Sequence, residues 1–189
     1  MTLAETASIF SETLVSNAAM AAMEKDARLP LIELHLQDVC QVIVDILSRY
    51  YFEHDVFKER AKGEITPDRL CDLMLQAQAK TYGEPLREDE RHPYMWAVKG
   101  HYYIPGLSFY NFPYAFGQLF GMGLYSIYKE EGQSFAAQYR ELLRSTGSLP
   151  AAEVARRAGF DIERPAFWQS AMKVFEHEVE FLEAQSCNR

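Results

Sequence analysis

The residues of this sequence best suited to chemistry lie in one dense aromatic stretch, GHYYIPGLSFYNFPYAFGQLFGMGLY, which runs from residue 100 to residue 125. It places His101 close in the chain to Tyr110 and Tyr114. An imidazole and a phenol that converge on a cavity can both donate hydrogen bonds to an oxygen that gains negative charge in a transition state. An aromatic core with a satisfied histidine is the other interpretation, although each buried tyrosine hydroxyl in it needs a partner. Composition alone favours neither.

Two glutamates near the start of the sequence form a second candidate site. Glu5 and Glu12 lie seven residues apart in LAETASIFSETL, so they share one face of a helix whose other faces carry Ile9, Phe10 and Leu14. On a helix buried on most sides, two carboxylates would need a cation or strong hydrogen-bond donors, because an isolated buried charge is very costly. A solvated face with two harmless glutamates is the simpler interpretation. Spacing alone favours it, because glutamate is rarely fully buried.

The elements that must position these residues are helices. Apolar side chains recur at three- and four-residue spacing along most of the chain, and no strand pattern competes with them. The sequence therefore predicts an all-α bundle of roughly seven or eight helices. The predicted helices cover residues 3–24, 31–62, 66–83, 111–131, 134–147, 148–160 and 163–185, with a break at 26–30.

Capping residues fix two of these boundaries. Thr66 is predicted to cap a helix that has Pro67 at its first position, where the missing N–H costs little, and Gly83 is predicted to end it. Asn111 is predicted to cap the aromatic helix, with Pro113 in its first turn.

Composition excludes several classes of function. The chain has 189 residues and a formal net charge of -8, which disfavours nucleic-acid binding because phosphates require a basic face. It contains no apolar run of membrane-spanning length and no signal-peptide pattern, so we expect a cytoplasmic protein with no membrane partner. Its cysteines are odd in number and far apart, so we expect reduced and mostly buried thiols: Cys40, Cys71 and Cys187.

The other histidines carry weaker signals. His35, His54 and His92 are predicted to be surface or capping residues. His177 is followed by a glutamate, as in the zinc signature HExxH, but Phe181 stands where the second histidine of that motif belongs. No HExxH occurs anywhere in the chain.

Three stretches together resemble the C-terminal part of oligoendopeptidase F, in the thimet-oligopeptidase-like family of zinc metallopeptidases. They are LAETASIFSE at 3–12, GHYYIPGLSFYNFPYAFGQLFGMGLYSIY at 100–128 and RAGFDIERPAFWQSAMKVFEHEVEFLE at 157–183. Each is moderately specific, whereas their common order and spacing make the resemblance strong. It covers nearly the whole chain, so residues 1–189 are expected to form the C-terminal helical part of the peptidase catalytic domain.

The resemblance implies a role for each candidate residue. Glu5 matches the third zinc ligand of the family, and Glu12 matches an acidic residue that supports a zinc-binding histidine. His101 matches a histidine near the substrate. Tyr110, with Tyr114 as the second candidate, matches the tyrosine that hydrogen-bonds the tetrahedral intermediate. The phenols and the imidazole are then expected to line the cleft wall opposite the metal.

The family's remaining zinc ligands and its general base lie in HExxH, which this sequence lacks. The resemblance therefore implies a fragment whose missing partner is an HExxH-bearing N-terminal part. The resemblance implies that the intact enzyme hydrolyses short peptides with a zinc-activated water. A zinc peptidase needs three protein ligands and a metal-bound water. With at most one ligand, the chain alone is expected to be inactive and not to bind zinc tightly.

Two further expectations follow. A fragment cut at an active site exposes surface that its missing half covered, so a homodimer through the apolar parts of residues 3–23 and the tyrosine-rich wall of the cleft is expected. The alternative function is a non-catalytic, all-α domain that binds a small ligand or a partner in an aromatic pocket.

Overall fold

Helices account for the regular structure of the chain in the computed structural model, which describes residues 2–107 and 109–186. These ranges contain nine α-helices and no strand, and seven of the helices have eleven residues or more. The predicted all-α class is therefore confirmed. The helices are α1 Thr6–Ala21, α2 Lys25–Cys40, α3 Ile46–Arg60, α4 Pro67–Tyr82, α5 Met95–Val98, α6 Phe112–Glu131, α7 Phe135–Ser145, α8 Ala151–Arg157 and α9 Pro165–Ser186.

The region between α1 and α3 differs from the prediction. The predicted break at 26–30 is wrong, because α2 begins at Lys25 and contains Pro30. Pro30 lies in the second turn of α2, where it removes one hydrogen bond to the first turn and its ring crowds the carbonyl four residues before it. The predicted long helix instead contains a π-helical segment, Gln41–Asp45, between α2 and α3. Segments of this kind are rare and occur frequently at functional sites.

The predicted boundaries of α4 are confirmed. The side chain of Thr66 accepts a hydrogen bond from the backbone N–H of Arg69 at 3.3 Å, and Pro67 is the first helical residue. Gly83 ends the helix with a φ of 62°, a left-handed conformation that glycine adopts without steric cost. Local sequence therefore determines both ends of this helix.

The chain divides into two compact units, Met1–Asp38 with Phe116–Arg189 and Val39–Ala115. The core of the first unit includes Phe10, Phe120, Leu124, Phe135 and Leu142. The core of the second unit is smaller and consists of Phe52, Leu73, Met74, Ala77 and Tyr102. Both cores are mainly apolar, and the burial of apolar surface is the dominant favourable contribution to folding.

The cysteines differ from expectation in their burial. Cys40 is exposed and Cys71 is half-buried, and both are free thiols. The prediction of a buried thiol is therefore wrong for Cys40. Cys187 lies outside the described residues.

Two glycines of α6 bring α1 and α6 close together in the first unit. A Cβ added at Gly117 would lie 2.8 Å from the Cβ of Glu5, and one added at Gly121 would lie 3.1 Å from Cγ2 of Ile9. A side chain at Gly117 would force something to shift, and one at Gly121 would require Ile9 to give by a few tenths of an ångström. Gly117 thus fixes the separation between α6 and the segment that carries Glu5.

We expect Gly117→Ala to lower the free energy of unfolding by about 1–3 kcal/mol, the usual cost of overpacking. The added methyl group would meet the Cβ of Glu5, which cannot move without the backbone. Urea unfolding followed by circular dichroism measures the change. The matched control is Gly100→Ala, because nothing lies within 4 Å of a Cβ at Gly100. An equal loss in both variants would contradict close packing at Gly117.

Candidate active site

His101 and Tyr114 are brought together in the second unit. His101 lies in a 3₁₀ turn, Gly100–Tyr102, and Tyr114 lies in the first turn of α6. The hydroxyl oxygen of Tyr114 is 3.5 Å from Nε2 of His101, and their rings meet edge to face with centroids 5.8 Å apart. Both residues are half-buried, so they pack firmly and remain accessible.

Tyr110 extends this pair. Its ring meets that of Tyr114 edge to face, with centroids 5.4 Å apart and planes at 87°. Such geometry is the favourable one for aromatic pairs because the positive edge of one ring faces the negative face of the other. The three residues that sequence predicted for the substrate side therefore form one group, called here the His–Tyr cluster: His101, Tyr110 and Tyr114.

The backbone before α6 connects the members of the His–Tyr cluster. The N–H of Phe109 donates to the carbonyl of His101 at 2.8 Å, and the N–H of Asn111 donates to the carbonyl of Phe109 at 3.1 Å. Phe109 has a φ of 62°, which is uncommon for a residue with a side chain. Its ring packs against Phe57 and Tyr102, with centroids 4.8 Å and 5.6 Å away. Tertiary packing thus holds this backbone in an otherwise unfavourable conformation.

Asn111 does not use its side chain as the helix cap that sequence predicted. Its Oδ1 accepts a hydrogen bond from Nη1 of Arg49 at 3.0 Å, and its Nδ2 donates to Oε1 of Glu53 at 2.6 Å. Arg49 also donates to the carboxylate of Asp45 through Nη2. We call these four residues the Asn111 anchor: Asp45, Arg49, Glu53 and Asn111. All four are at most 5% exposed.

The far end of the Asn111 anchor is also hydrogen-bonded. Asp45, the last residue of the π-helical segment, accepts from Nε2 of Gln41 at 2.7 Å and from the hydroxyl of Tyr82 at 3.1 Å. Burial, followed by the charge of Asp45, raises the pKa of Tyr82 to about 12, so its hydroxyl remains a donor at neutral pH. A buried charge is tolerated only when it is paired and hydrogen-bonded, and Asp45 meets that condition.

Glu53 is the least compensated member of the Asn111 anchor. Burial raises its pKa to about 7, although the hydrogen bond from Asn111 and the charge of Arg49 oppose that shift. Burial also raises the pKa of Tyr102, and the charge of Glu53 adds to this effect. The hydroxyl of Tyr102 is buried without a hydrogen-bond partner among the described residues. The second unit therefore contains a carboxyl group that changes charge near neutral pH.

This ionisation predicts a pH-dependent stability. A group whose pKa is higher in the folded state stabilises the fold below its unfolded pKa of 4.5, and this contribution is lost as pH rises through about 7. We expect wild type to lose about 2 kcal/mol more than Glu53→Gln between about pH 5.5 and about pH 8.5, since one pKa unit corresponds to ~1.4 kcal/mol. Urea unfolding at both pH values measures the difference. Parallel pH profiles for the two proteins would contradict a raised pKa at Glu53.

Glu5 lies immediately before α1 in the first unit. It is half-buried, and its Oε2 lies 3.2 Å from the hydroxyl of Ser8, which also donates to the backbone carbonyl of Glu5 at 3.0 Å. Its Cβ lies against Gly117, as described above. Backbone packing and a side-chain donor therefore restrain this carboxylate.

Glu12 is exposed on α1, and its charge acts on His35. Burial lowers the pKa of His35, while Glu12 and Asp38 raise it by smaller amounts. His35 was predicted to be a surface or capping residue, but its side chain is only 20% exposed and its Nε2 lies 3.4 Å from Oε2 of Glu178. Burial raises the pKa of Glu178 to about 7. The surface prediction for His35 is therefore wrong, because α9 covers it.

A cavity of about 460 Å³ lies within the first unit. Tyr125 and Phe181 provide aromatic surface to it, and Glu178 and Lys129 provide charges of both signs. The aromatic stretch thus contributes to a pocket as well as to the His–Tyr cluster.

The described residues do not form a zinc site by themselves. Among them, no group of three or more histidine, cysteine, aspartate or glutamate side chains is placed to hold a metal ion. A catalytic zinc requires three protein ligands, and Glu5 would supply one.

In the described ranges, no helix combines the length and the apolar character needed to cross a membrane.

Sequence reasoning missed the Asn111 anchor. Asp45, Arg49 and Glu53 are spaced at i, i+4 and i+8, which places three charged side chains on one face of a helix. Such a row usually faces solvent, and the prediction for this segment considered only its apolar side. The partner, Asn111, lies more than fifty residues further along the chain, where local sequence favours capping.

Comparisons with known proteins agree with the resemblance noted in the sequence. The model of peptidase family M3 matches residues 1–174. The chain is 25% identical to oligopeptidase PepF of Bacillus subtilis over 183 residues, which cover 96% of this chain and 27% of that protein. It is 27% identical to an oligoendopeptidase F homolog of Lactococcus lactis, over 96% of this chain and 30% of that protein. The chain thus spans less than a third of the length of these relatives. No solved structure matches it.

Proposed function

Since this chain belongs to peptidase family M3, we propose that it forms the part of a zinc oligopeptidase active site that contacts the substrate and supplies one metal ligand. The substrates are short peptides, in keeping with the names of its oligopeptidase and oligoendopeptidase relatives. The observation that carries the proposal is the His–Tyr cluster, which gathers residues from the 3₁₀ turn at His101 and from the start of α6.

Within the cluster, His101 and Tyr114 are the two donors. Their Nε2 and hydroxyl oxygen are 3.5 Å apart. An oxygen atom about 2.8 Å from each, a normal hydrogen-bond length, fits between them. Two preorganised donors aimed at one oxygen stabilise the negative charge that develops on a peptide carbonyl during hydrolysis. This role requires a proton on Nε2 of His101 and on the hydroxyl of Tyr114.

Tyr110 contacts the ring of Tyr114 and supports its orientation. Its ring fixes the ring plane of Tyr114 through an edge-to-face contact. Loss of that ring would let Tyr114 rotate and would weaken one donor. The resemblance favoured Tyr110 as the donor to the carbonyl oxygen. On the geometry of the cluster we propose Tyr114 for that role, with Tyr110 supporting its ring.

Glu5 is the zinc ligand of the proposal, and Glu12 is the acidic residue that orients a zinc-binding histidine. The ligand role of Glu5 is supported by the restraint on its position from Gly117 and Ser8. The described residues form no group of three metal ligands, so in this proposal the ligands that complete the site come from an HExxH segment outside this sequence. The chain by itself would then neither hold zinc tightly nor hydrolyse peptides.

The coding sequence upstream of Met1 tests this proposal. We expect an in-frame HExxH roughly 20–30 residues before Glu5, the usual separation between that motif and the third ligand in such metallopeptidases. A separate gene that encodes the HExxH part would satisfy the proposal as a split enzyme. If neither exists in the source genome, the peptidase function is wrong.

The cavity of the first unit favours a second candidate function, a helical domain that binds a small ligand without catalysis. Its aromatic and charged lining suits a ligand with an apolar body and a polar end. Absence of any HExxH partner would favour this function. A zinc-dependent peptidase activity of the assembled protein would exclude it as the main function.

The expected homodimer stays a prediction. Its proposed surface is smaller than the sequence indicated, because Leu3, Phe10 and Met20 are buried within the first unit, whereas Val15 is 70% exposed. We expect sedimentation equilibrium at micromolar concentration to show a dimer. A monomer under these conditions would contradict the prediction of a homodimer.

A cytoplasmic location also remains a proposal, and cell fractionation would test it.

A further inference from the structure

The Asn111 anchor is a buried polar network that ends at the residue directly before α6. It joins the π-helical segment and α3 to a single residue of the loop before α6. Asn111 is fully buried, and both ends of its amide are used, one as acceptor from Arg49 and one as donor to Glu53. Partners at both ends of the amide restrain its rotation.

The residues on either side of Asn111 belong to the His–Tyr cluster. Tyr110 precedes it directly. The backbone N–H of Tyr114 donates to the carbonyl of Asn111 at 3.1 Å. His101 is joined to the same backbone, because its carbonyl accepts from Phe109, whose own carbonyl accepts from Asn111. Each member of the cluster is therefore at most two hydrogen-bonded or covalent links from Asn111.

We propose that Arg49 and Glu53 are positioning residues for the His–Tyr cluster, acting through the side-chain amide of Asn111. This inference rests on the proposed function for its catalytic meaning, but its structural part is independent of any peptidase activity. Arg49 fixes the carbonyl end of the amide and Glu53 fixes the amino end, so the backbone at residue 111 has one orientation. That orientation sets the start of α6, and with it the hydroxyl of Tyr114 opposite Nε2 of His101.

The chemistry of the pair suits this task. A guanidinium donates from a rigid planar fork, and Arg49 uses one nitrogen for Asn111 and another for Asp45. A lysine at this position would keep the charge but would lack the fork. Glu53 needs only an acceptor oxygen for Asn111, which glutamine also provides. Arg49→Lys is therefore expected to disrupt the anchor, whereas Glu53→Gln is expected to preserve it.

Nuclear magnetic resonance of the isotope-labelled chain tests the proposal without reference to activity. The readout is the set of nuclear Overhauser effects between the rings of His101 and Tyr114 and between those of Tyr110 and Tyr114, whose centroids are 5.8 Å and 5.4 Å apart. We expect Glu53→Gln to retain these effects. We expect Arg49→Lys and Glu53→Leu to reduce them at least several-fold while the far-ultraviolet circular dichroism stays helical.

A matched control separates positioning from general destabilisation. Leu73→Ala removes a buried side chain from the core of the second unit without removing any member of the Asn111 anchor. We expect it to lower the melting temperature and to leave the ring-to-ring effects intact. If Glu53→Leu fails to fold, Arg49→Lys decides the matter, since it keeps the buried charge.

Two results would overturn the proposal: unchanged ring-to-ring effects in folded Arg49→Lys, or an equal loss of them in Leu73→Ala. In the assembled peptidase, Arg49→Lys should lower kcat more than it changes KM. If Arg49→Lys loses the ring-to-ring effects while the wild-type chain joined to its HExxH segment hydrolyses no peptide, the anchor is supported and the proposed function is contradicted, so the two failures are distinguishable.

Discussion

Substitution of Glu5 by glutamine is expected to reduce zinc affinity more than about 100-fold in a protein that combines this chain with its HExxH segment. Loss of a residue that merely orients a zinc ligand costs 10–100-fold, so loss of a ligand itself should cost more. Glutamine matches the shape of glutamate and retains an oxygen for Ser8, so the packing against Gly117 survives. What changes is the charge on the oxygen offered to the metal. Competition titration with a chromogenic chelator measures the affinity.

Two other glutamates of the same region provide the comparison. Glu12→Gln should cost 10–100-fold, roughly the loss seen when a ligating imidazole loses the carboxylate that orients it. Glu24→Gln should have no measurable effect, because Glu24 is exposed and lies beyond the end of α1. If Glu5→Gln and Glu24→Gln bind zinc equally well, Glu5 is not a ligand.

Tyr114→Phe is expected to lower kcat about 100- to 1,000-fold in the assembled peptidase, with little change in KM. Removal of one donor from an oxyanion site typically has this effect, because the lost hydrogen bond strengthens only in the transition state. The ring remains, so its edge-to-face contacts with His101 and Tyr110 persist. Turnover of an internally quenched fluorogenic peptide gives both constants.

Tyr103→Phe is the matched control for that substitution. Tyr103 lies in the same aromatic stretch, but it is 57% exposed and its hydroxyl donates to the backbone carbonyl of Trp96 at 3.1 Å. Its loss should change kcat by no more than a few-fold. A similar defect in both variants would mean that Tyr114 acts through local packing rather than through its hydroxyl.

The helices were predictable from sequence because their signals are local. The cap at Thr66 and the stop at Gly83 depend on residues within a few positions of each boundary, and both were confirmed. The helix from residue 112 to residue 131 was likewise predicted by its apolar spacing and its terminal glycine. Pro30 shows the limit of such reasoning, because a proline inside a helix is unfavourable on local grounds and yet α2 continues through it.

The candidate site was predictable in part. Sequence placed His101, Tyr110 and Tyr114 in one stretch, and the structure groups their side chains. Sequence did not predict the Asn111 anchor, because its hydrogen bonds to Arg49 and Glu53 join residues about sixty positions apart. The same limit applies to His35, whose burial depends on α9, far along the chain. Contacts of this kind follow from tertiary packing rather than from local pattern.

Zinc-dependent turnover of a fluorogenic peptide, measured for this chain alone and for the chain joined to its HExxH segment, decides whether Glu5 completes a zinc site whose other ligands lie outside this sequence. We expect no turnover and no tightly bound zinc for the chain alone. We expect chelator-sensitive turnover for the joined protein, abolished by Glu5→Gln. Zinc-dependent cleavage by the chain alone, unchanged in Glu5→Gln, would contradict this prediction.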